Sequence, residues 1–229
     1  MPRIVTQTPF EPNKIISFSL IVYAHTTKKC IILQRKHSVE FLLILSGQYR
    51  PSMLLFFLNC ITNKELGLLQ SRMNQTEFYD LYVNIVGLDK KDVDYAFLRL
   101  MESKSIINDY VGKDNDLQWT WPKGRLNIED KENGFTCACR EFYEETEIKL
   151  PDPIYVSTNP LLVETIKTLS CKTIETYCWV YIIKDELPFP PLINHKEVND
   201  RQWVPLHDAL IKLNQTHLLQ QITDELNFL

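Results

Sequence analysis

GRLNIEDKENGFTCACREFYEETEI, residues 124–148, is a glycine-led loop that runs into a helical stretch closing on Arg-Glu-Phe-Tyr-Glu-Glu. Successive helical residues turn by about 100°, so Glu141, Glu144 and Glu145 at i, i+3 and i+4 converge on one side. Like charges at this spacing destabilise a helix by a few tenths of a kcal/mol per pair, so the trio makes most sense around a cation. Carboxylate oxygens are hard ligands, which favours Mg2+ or Mn2+ over zinc, and those ions commonly hold phosphates through a few carboxylates and water. A solvated acidic helix face is the alternative that the ending alone leaves open. Asn133 or Gly134 is the expected helix start and Glu147 the expected end, with Glu147 extending the last turn.

The rest of the chain narrows the class of protein. Its 229 residues suit one large domain or one domain with an inserted subdomain. No apolar run reaches the roughly 18 residues that span a bilayer, and MPRIVTQTPFEPNK lacks an apolar signal core, so no membrane partner is expected. Six cysteines are scattered without a CxxC pair or zinc spacing and read as free thiols of a reducing compartment. The net charge of −4 argues against nonspecific nucleic-acid binding, yet residues 1–50 hold seven Lys/Arg against Glu11 and Glu40. A basic N-terminal segment beside an acidic metal site suits a phosphate-bearing substrate; ordinary surface charge is the other reading.

Ile15 to Ala24 and Lys29 to Arg35 are β-branched, apolar runs around the polar HTTKK, which predicts a hairpin. From Pro51 to about Asp109 the apolar residues recur at three- and four-residue intervals, with Asn63 and Thr76 as expected N-caps and Asp89 opening a further helix. A helical insert over 51–112 therefore separates residues 1–50 from residues 113–229. Trp119 to Pro122 predicts a short strand, as does Arg201 to Val204. Ile154 to Leu169 and Thr173 to Lys184 predict two longer strands joined at SCK. Amphipathic helices follow at His207–Leu213 and Thr216–Phe228. This interleaving predicts an α/β fold, an α/β/α sandwich with a mainly helical inserted subdomain.

Arg140, Glu141, Phe142, Glu144, Glu145 and Ile148, with Glu132 at the right distance before Arg140, resemble the signature box of Nudix hydrolases. Two departures stand out. Seven residues rather than five separate Gly124 from Glu132, a loop insertion of low entropic cost, and Glu147 fills the family's late-glycine position. Aligning on the glycine instead would put Asp130 in the acidic slot. WPKG at 121–124 is similar to the opening of messenger-RNA decapping Nudix boxes. QRKHSVEF at 34–41 and the position of the insert resemble decapping enzymes of large DNA viruses, of the African swine fever virus type.

The resemblance implies that Glu141, Glu144 and Glu145, with the Gly124 carbonyl, are ligands of Mg2+ or Mn2+. It implies that Glu132 and Arg140 brace the loop and helix, and that Glu197, spaced from Trp203 as in an EIxxxxW segment, is a general base or further ligand. Glu175 is the runner-up and Asp200 ranks below it. Lys123, Arg35 and Lys36 are candidate phosphate contacts, and Phe18, Tyr23, Phe41, Tyr177 and Trp179 are aromatic residues able to stack a cap. The five histidines read as structural. The implied substrate is capped RNA, cleaved to 7-methyl-GDP and 5′-monophosphate RNA in the host cytoplasm, with the nucleus as a second location. The insert would be an RNA-binding platform and candidate homodimer surface. Diphosphoinositol polyphosphate or dinucleoside polyphosphate hydrolysis is the rival activity, and a catalytically dead RNA-binding module the rival class.

Overall fold

β1 (Lys14–Ala24) runs in parallel register with a strand contributed about 160 residues later, and that pairing organises the sheet. A computed structural model describes residues 14–87, 90–127, 133–167, 173–192 and 195–227. In chain order, β1 and β2 (Lys29–Arg35) form the expected antiparallel hairpin, with Tyr23 opposite Cys30. Six helices follow: α1 (Val39–Leu45), α2 (Leu54–Leu58), α3 (Asn63–Ser71), α4 (Gln75–Ile85), α5 (Lys90–Glu102) and α6 (Lys104–Asp109). Then come β3 (Trp119–Thr120), β4 (Lys123–Gly124), α7 (Gly134–Thr146), β5 (Tyr155–Val156), β6 (Leu161–Lys167) and β7 (Thr173–Ile183). β8 (Val198–Pro205), α8 (Leu206–Lys212) and α9 (Leu219–Leu226) complete the chain. Among the described residues no helix is long and apolar enough to cross a membrane.

Contacts divide the chain into two units, residues 1–34 with 119–229, and residues 35–118. In the first, the strand order is β3-β2-β1-β7-β5, with β4 pairing β1, β6 pairing β7 and β8 pairing β2. β1 and β7 are parallel from Lys14↔Thr173 to Ala24↔Ile183. The alternation of β1 sends Phe18, Leu20 and Val22 to one face, where they meet Cys137, Ala138 and Phe142 of α7. Ile21 and Tyr23 go to the other, with Leu206, Ala209 and Leu210 of α8 and Ile222 of α9. Helices thus cover both faces of a mixed sheet, the α/β/α sandwich that the sequence predicts. The aromatic residues offered as cap stackers, Phe18, Tyr23 and Trp179, are buried in these two cores.

The helical unit starts at Arg35 and ends at Gln118, whereas the apolar periodicity marks only 51–112. Its additional first element is α1, whose N-cap Ser38 accepts from the Phe41 amide. Phe41, also offered as a stacker, is buried here. Two caps differ from expectation. Thr62, not Asn63, caps α3 in a reciprocal box with Glu65, and Asn74, not Thr76, caps α4 by accepting from the Glu77 amide. In each case the residue in extended conformation one step before the helix takes the role. Asp89 lies outside the described residues. In the first unit the segment expected as one strand over 154–169 is two strands, β5 and β6, both antiparallel to β7, and the expected last helix opens with a separate 3₁₀ turn at Thr216–Leu218.

Candidate active site

Asn133 starts α7: its side chain accepts from the Thr136 amide at 2.9 Å and its carbonyl accepts from Cys137. Gly134 follows because the helix start lies against the sheet. A Cβ there would stand 2.6 Å from the Phe18 ring and 2.9 Å from the Trp179 ring, closer than packed atoms tolerate. With Cys137, Ala138 and Phe142 turned into the core, the helical period sends Arg140, Glu141, Glu144 and Glu145 away from it. The helix stops at Thr146. Glu147 does not extend it but takes the left-handed conformation, φ 59°, while its amide donates to the Tyr143 carbonyl. It thus adopts the backbone geometry usual for a glycine after a helix, at a cost on the order of 1 kcal/mol for a residue with a Cβ.

The carboxylates occupy three distinct environments. Glu145 accepts from the Lys123 amide at 2.9 Å and so fastens α7 to β4. Glu141 is packed against Gly124 so closely that a Cβ at position 124 would fall within its carboxylate, at 1.9 Å from Cδ. This contact requires glycine. Glu144 is exposed, and one Arg140 nitrogen donates to both Glu141 at 2.7 Å and Glu144 at 2.9 Å. The second Arg140 nitrogen donates to the Arg125 carbonyl at 2.9 Å, so Arg140 braces loop and helix together. Glu132 and Asp130 lie outside the described residues. The Gly124 carbonyl accepts from Ser17 Oγ at 3.0 Å, a β1 contact 107 residues away in sequence that no local motif announces.

Burial raises the Glu141 pKa, Arg140 opposes the rise, and the charges of Glu144 and Glu197 add to it. Glu197 therefore belongs to the same electrostatic cluster although it arrives from the segment just before β8. What brings it there is His195. Nδ1 of that ring faces the amides of Glu197 at 3.2 Å and Val198 at 3.0 Å, so it is the acceptor, and Nε2 must carry the proton donated to the Glu144 carbonyl at 2.9 Å. A histidine read from sequence as structural thus ties the helix to the downstream acid.

Glu175 is engaged elsewhere. Lys14 at 2.8 Å and the Tyr177 hydroxyl at 2.6 Å bond its carboxylate, and these two hydrogen bonds lower its pKa. Asp200 accepts from its neighbours Arg201 and Gln202. The Lys123 ammonium pairs with Glu164 at 2.5 Å. Arg35 and Lys36 fall in the helical unit, where Arg35 Nε donates to the His37 carbonyl at 3.4 Å.

Among the described residues no three carboxylate, imidazole or thiol groups already surround one point. The acids are instead spread along Arg140 and the Lys123 amide. The donor set still fits a hard divalent cation: oxygen ligands, a self-repelling helix face and a half-buried carboxylate whose charged form is disfavoured would all be relieved by positive charge.

A family model described as NUDIX domain matches residues 100–224. The chain belongs to this family. It is a Nudix pyrophosphohydrolase, and Nudix hydrolases use divalent metals such as Mg2+ or Mn2+. No curated protein matches the chain significantly. Among solved structures, it is similar to an Ap4A hydrolase of C. elegans, with 14% identity over 94% of this chain and 99% of that one and a TM-score of 0.45. It is likewise similar to the NUDIX domain of Shewanella oneidensis NrtR complexed with ADP ribose, with 13% identity, 96% and 94% covered, and a TM-score of 0.44. A bifunctional NMN adenylyltransferase/ADP ribose pyrophosphatase of Francisella tularensis gives 12% identity, 95% and 42% covered, and a TM-score of 0.44. Membership in the family rests on the model match.

Proposed function

We propose that this Nudix hydrolase decaps RNA, releasing 7-methyl-GDP and leaving a 5′-monophosphate end. The observation that carries the reading is the helical unit, residues 35–118, which interrupts the chain between β2 and β3 and opens within QRKHSVEF. WPKG at the start of the catalytic loop supports it. In this reading Glu141, Glu144 and Glu145, with the Gly124 carbonyl, hold Mg2+ or Mn2+. A bound divalent cation supplies charge stabilisation for the phosphate oxygens and acidifies water. Gly124 lets Glu141 approach the loop backbone, and Arg140 keeps loop and helix in register. Glu197 takes the proton of the attacking water, Lys123 contacts a phosphate, and Arg35 and Lys36 bind RNA phosphates. The helical unit serves as RNA platform and homodimer surface, and the enzyme acts in the host cytoplasm.

Cap-labelled RNA, free cap analogue, diphosphoinositol phosphates and diadenosine polyphosphates, each offered with Mg2+ and with Mn2+, test the reading. Capped RNA is expected to be the preferred substrate, with a KM that rises steeply with salt as phosphate contacts are screened. Preference for the small molecules would transfer the assignment to small polyphosphates. Glu144→Gln is expected to remove metal-dependent turnover and leave RNA affinity nearly unchanged; RNA binding with no turnover in the wild type would identify a binding module instead.

A further inference from the structure

β6 carries one irregularity, and it decides where Glu164 points. Leu162 lies opposite Tyr177, but the partner of Thr176 is Glu164 rather than Val163, so the register shifts there. Regular pairing from Leu162 onward would set Glu164 opposite Glu175, on the face that α7 covers. The bulge turns it to the face of Thr176 instead, the kind of re-aiming that such irregularities serve beside functional sites. There Glu164 Oε2 accepts from Thr176 Oγ1 at 3.3 Å and from the Lys123 ammonium at 2.5 Å. Trp119, Trp121 and Gln215 line the narrow cleft that holds the pair.

Lys123 is thereby held at both ends. Its ammonium is tied to β6, while its amide donates to Glu145 of α7 at 2.9 Å. β4 itself is two residues long and meets β1 only at Phe18↔Gly124 and Ser19↔Lys123. Pro122, just before it, has no amide to add to that pairing. So short a strand is weakly fixed by its own ladder, yet Glu141 packs against its Gly124 and Glu145 bonds its Lys123.

We propose that Glu164 is a positioning residue of the carboxylate site: through the Lys123 ammonium it fixes β4, and through β4 the Glu145 carboxylate and the Gly124 carbonyl. The two side chains are 24% and 28% exposed, so the pair adds little to global stability. Its effect is geometric. Groups that aim metal ligands commonly govern metal affinity by roughly ten- to a hundredfold. The role rests on the cation-site reading of α7 and holds for any phosphate-bearing substrate.

Mn2+ affinity of the full chain, followed by electron paramagnetic resonance, tests it in the wild type, Glu164→Ala, Glu164→Gln, Lys123→Met and the Glu164→Ala/Lys123→Met double variant. Each of Glu164→Ala and Lys123→Met is expected to weaken Mn2+ binding about tenfold. The double variant should lose no more than either, because the two side chains act through one bond. Glu164→Gln, whose amide oxygen still accepts from the ammonium, should lose less, and melting temperatures should shift by about 4 °C or less. The sign for Lys123→Met discriminates. A charge acting on the ion through space alone would make removal of a cation tighten Mn2+ binding, so tightening in Lys123→Met beside weakening in Glu164→Ala overturns the role. So does a KM that rises in Lys123→Met with Mn2+ affinity unchanged, which would leave the lysine a phosphate contact only. A wild type that binds no Mn2+ would overturn the cation site and this role with it, whereas a wild type that binds Mn2+ and is matched by Glu164→Ala overturns this role alone.

Discussion

Two buried or half-buried glutamates, one in each unit, show opposite ways of housing a charge. Glu65 in the first turn of α3 is almost fully buried, yet its carboxylate accepts from the amide and hydroxyl of Ser38 and from the amide and hydroxyl of Thr62, at 2.6–3.1 Å. It sits where two helix N-termini offer unpaired amides, so both oxygens are hydrogen-bonded and the charge serves the fold. Glu141 on α7 is less buried and worse provided for. It shares one Arg140 nitrogen with Glu144, presses against Gly124, and feels the charges of Glu144 and Glu197. A saturated carboxylate stabilises structure, whereas an unsaturated one among its own kind stores an affinity for a cation.

The contrast breaks most sharply in activity. Glu141→Gln is expected to lower kcat by on the order of a thousandfold, comparable to losing a charge-stabilising group, while the chain stays folded by circular dichroism. Turnover within a factor of a few of the wild type would remove Glu141 from the site. Glu65→Ala should reverse that pattern. Stranding four donors is expected to cost about 3 kcal/mol in denaturant unfolding, with kcat unchanged at a temperature where the variant is folded. A variant as stable as the wild type would mean that Glu65 does not hold α1 and α3.

His195→Ala comes next. Releasing the Glu197 and Val198 amides should lower kcat by about tenfold with little change in KM, and His195→Asn, whose side-chain oxygen can accept the same amides, should recover part of it. An equal fall in both variants, accompanied by lower thermal stability, would assign the histidine to folding alone.

The smallest effect concerns pH in the metal-free protein. Because the folded pKa of Glu141 is raised, its contribution to stability is fully present below the unfolded carboxylate value and is lost as pH rises through the folded one. Metal-free Glu141→Gln should therefore melt above the wild type at neutral pH, and the gap should close on acidification through the carboxylate range. A gap that widens in acid would contradict the direction of the shift.

What the sequence displayed of this contrast depended on range. The period-two runs of β1 and β2 and the 3.6-residue spacing of α7 are local signals, and they delivered the sandwich and the shared face of Glu141, Glu144 and Glu145. The expected caps Asn63 and Thr76 fall one and two positions after the actual ones, Thr62 and Asn74, because several neighbouring polar residues can cap a helix and tertiary packing chooses among them. Glu147 was expected to prolong α7. In the fold the turn after Thr146 takes a left-handed residue there, the conformation that the late-glycine position it fills signals. Ser17 on the Gly124 carbonyl, His195 on Glu144 and Glu164 on Lys123 join residues 107, 51 and 41 positions apart. Spacing rules carry no information across such distances, so the supports of the site emerged only from the fold.

We infer that the α7 cluster with Glu197 is a divalent-cation site and that the acid held by α3 is not. Mn2+ binding followed by electron paramagnetic resonance on the wild type, Glu141→Gln and Glu65→Gln measures this directly. The wild type is expected to bind Mn2+, Glu141→Gln to bind it at least tenfold more weakly, and Glu65→Gln to match the wild type. Equal Mn2+ affinity in the wild type and Glu141→Gln would contradict it.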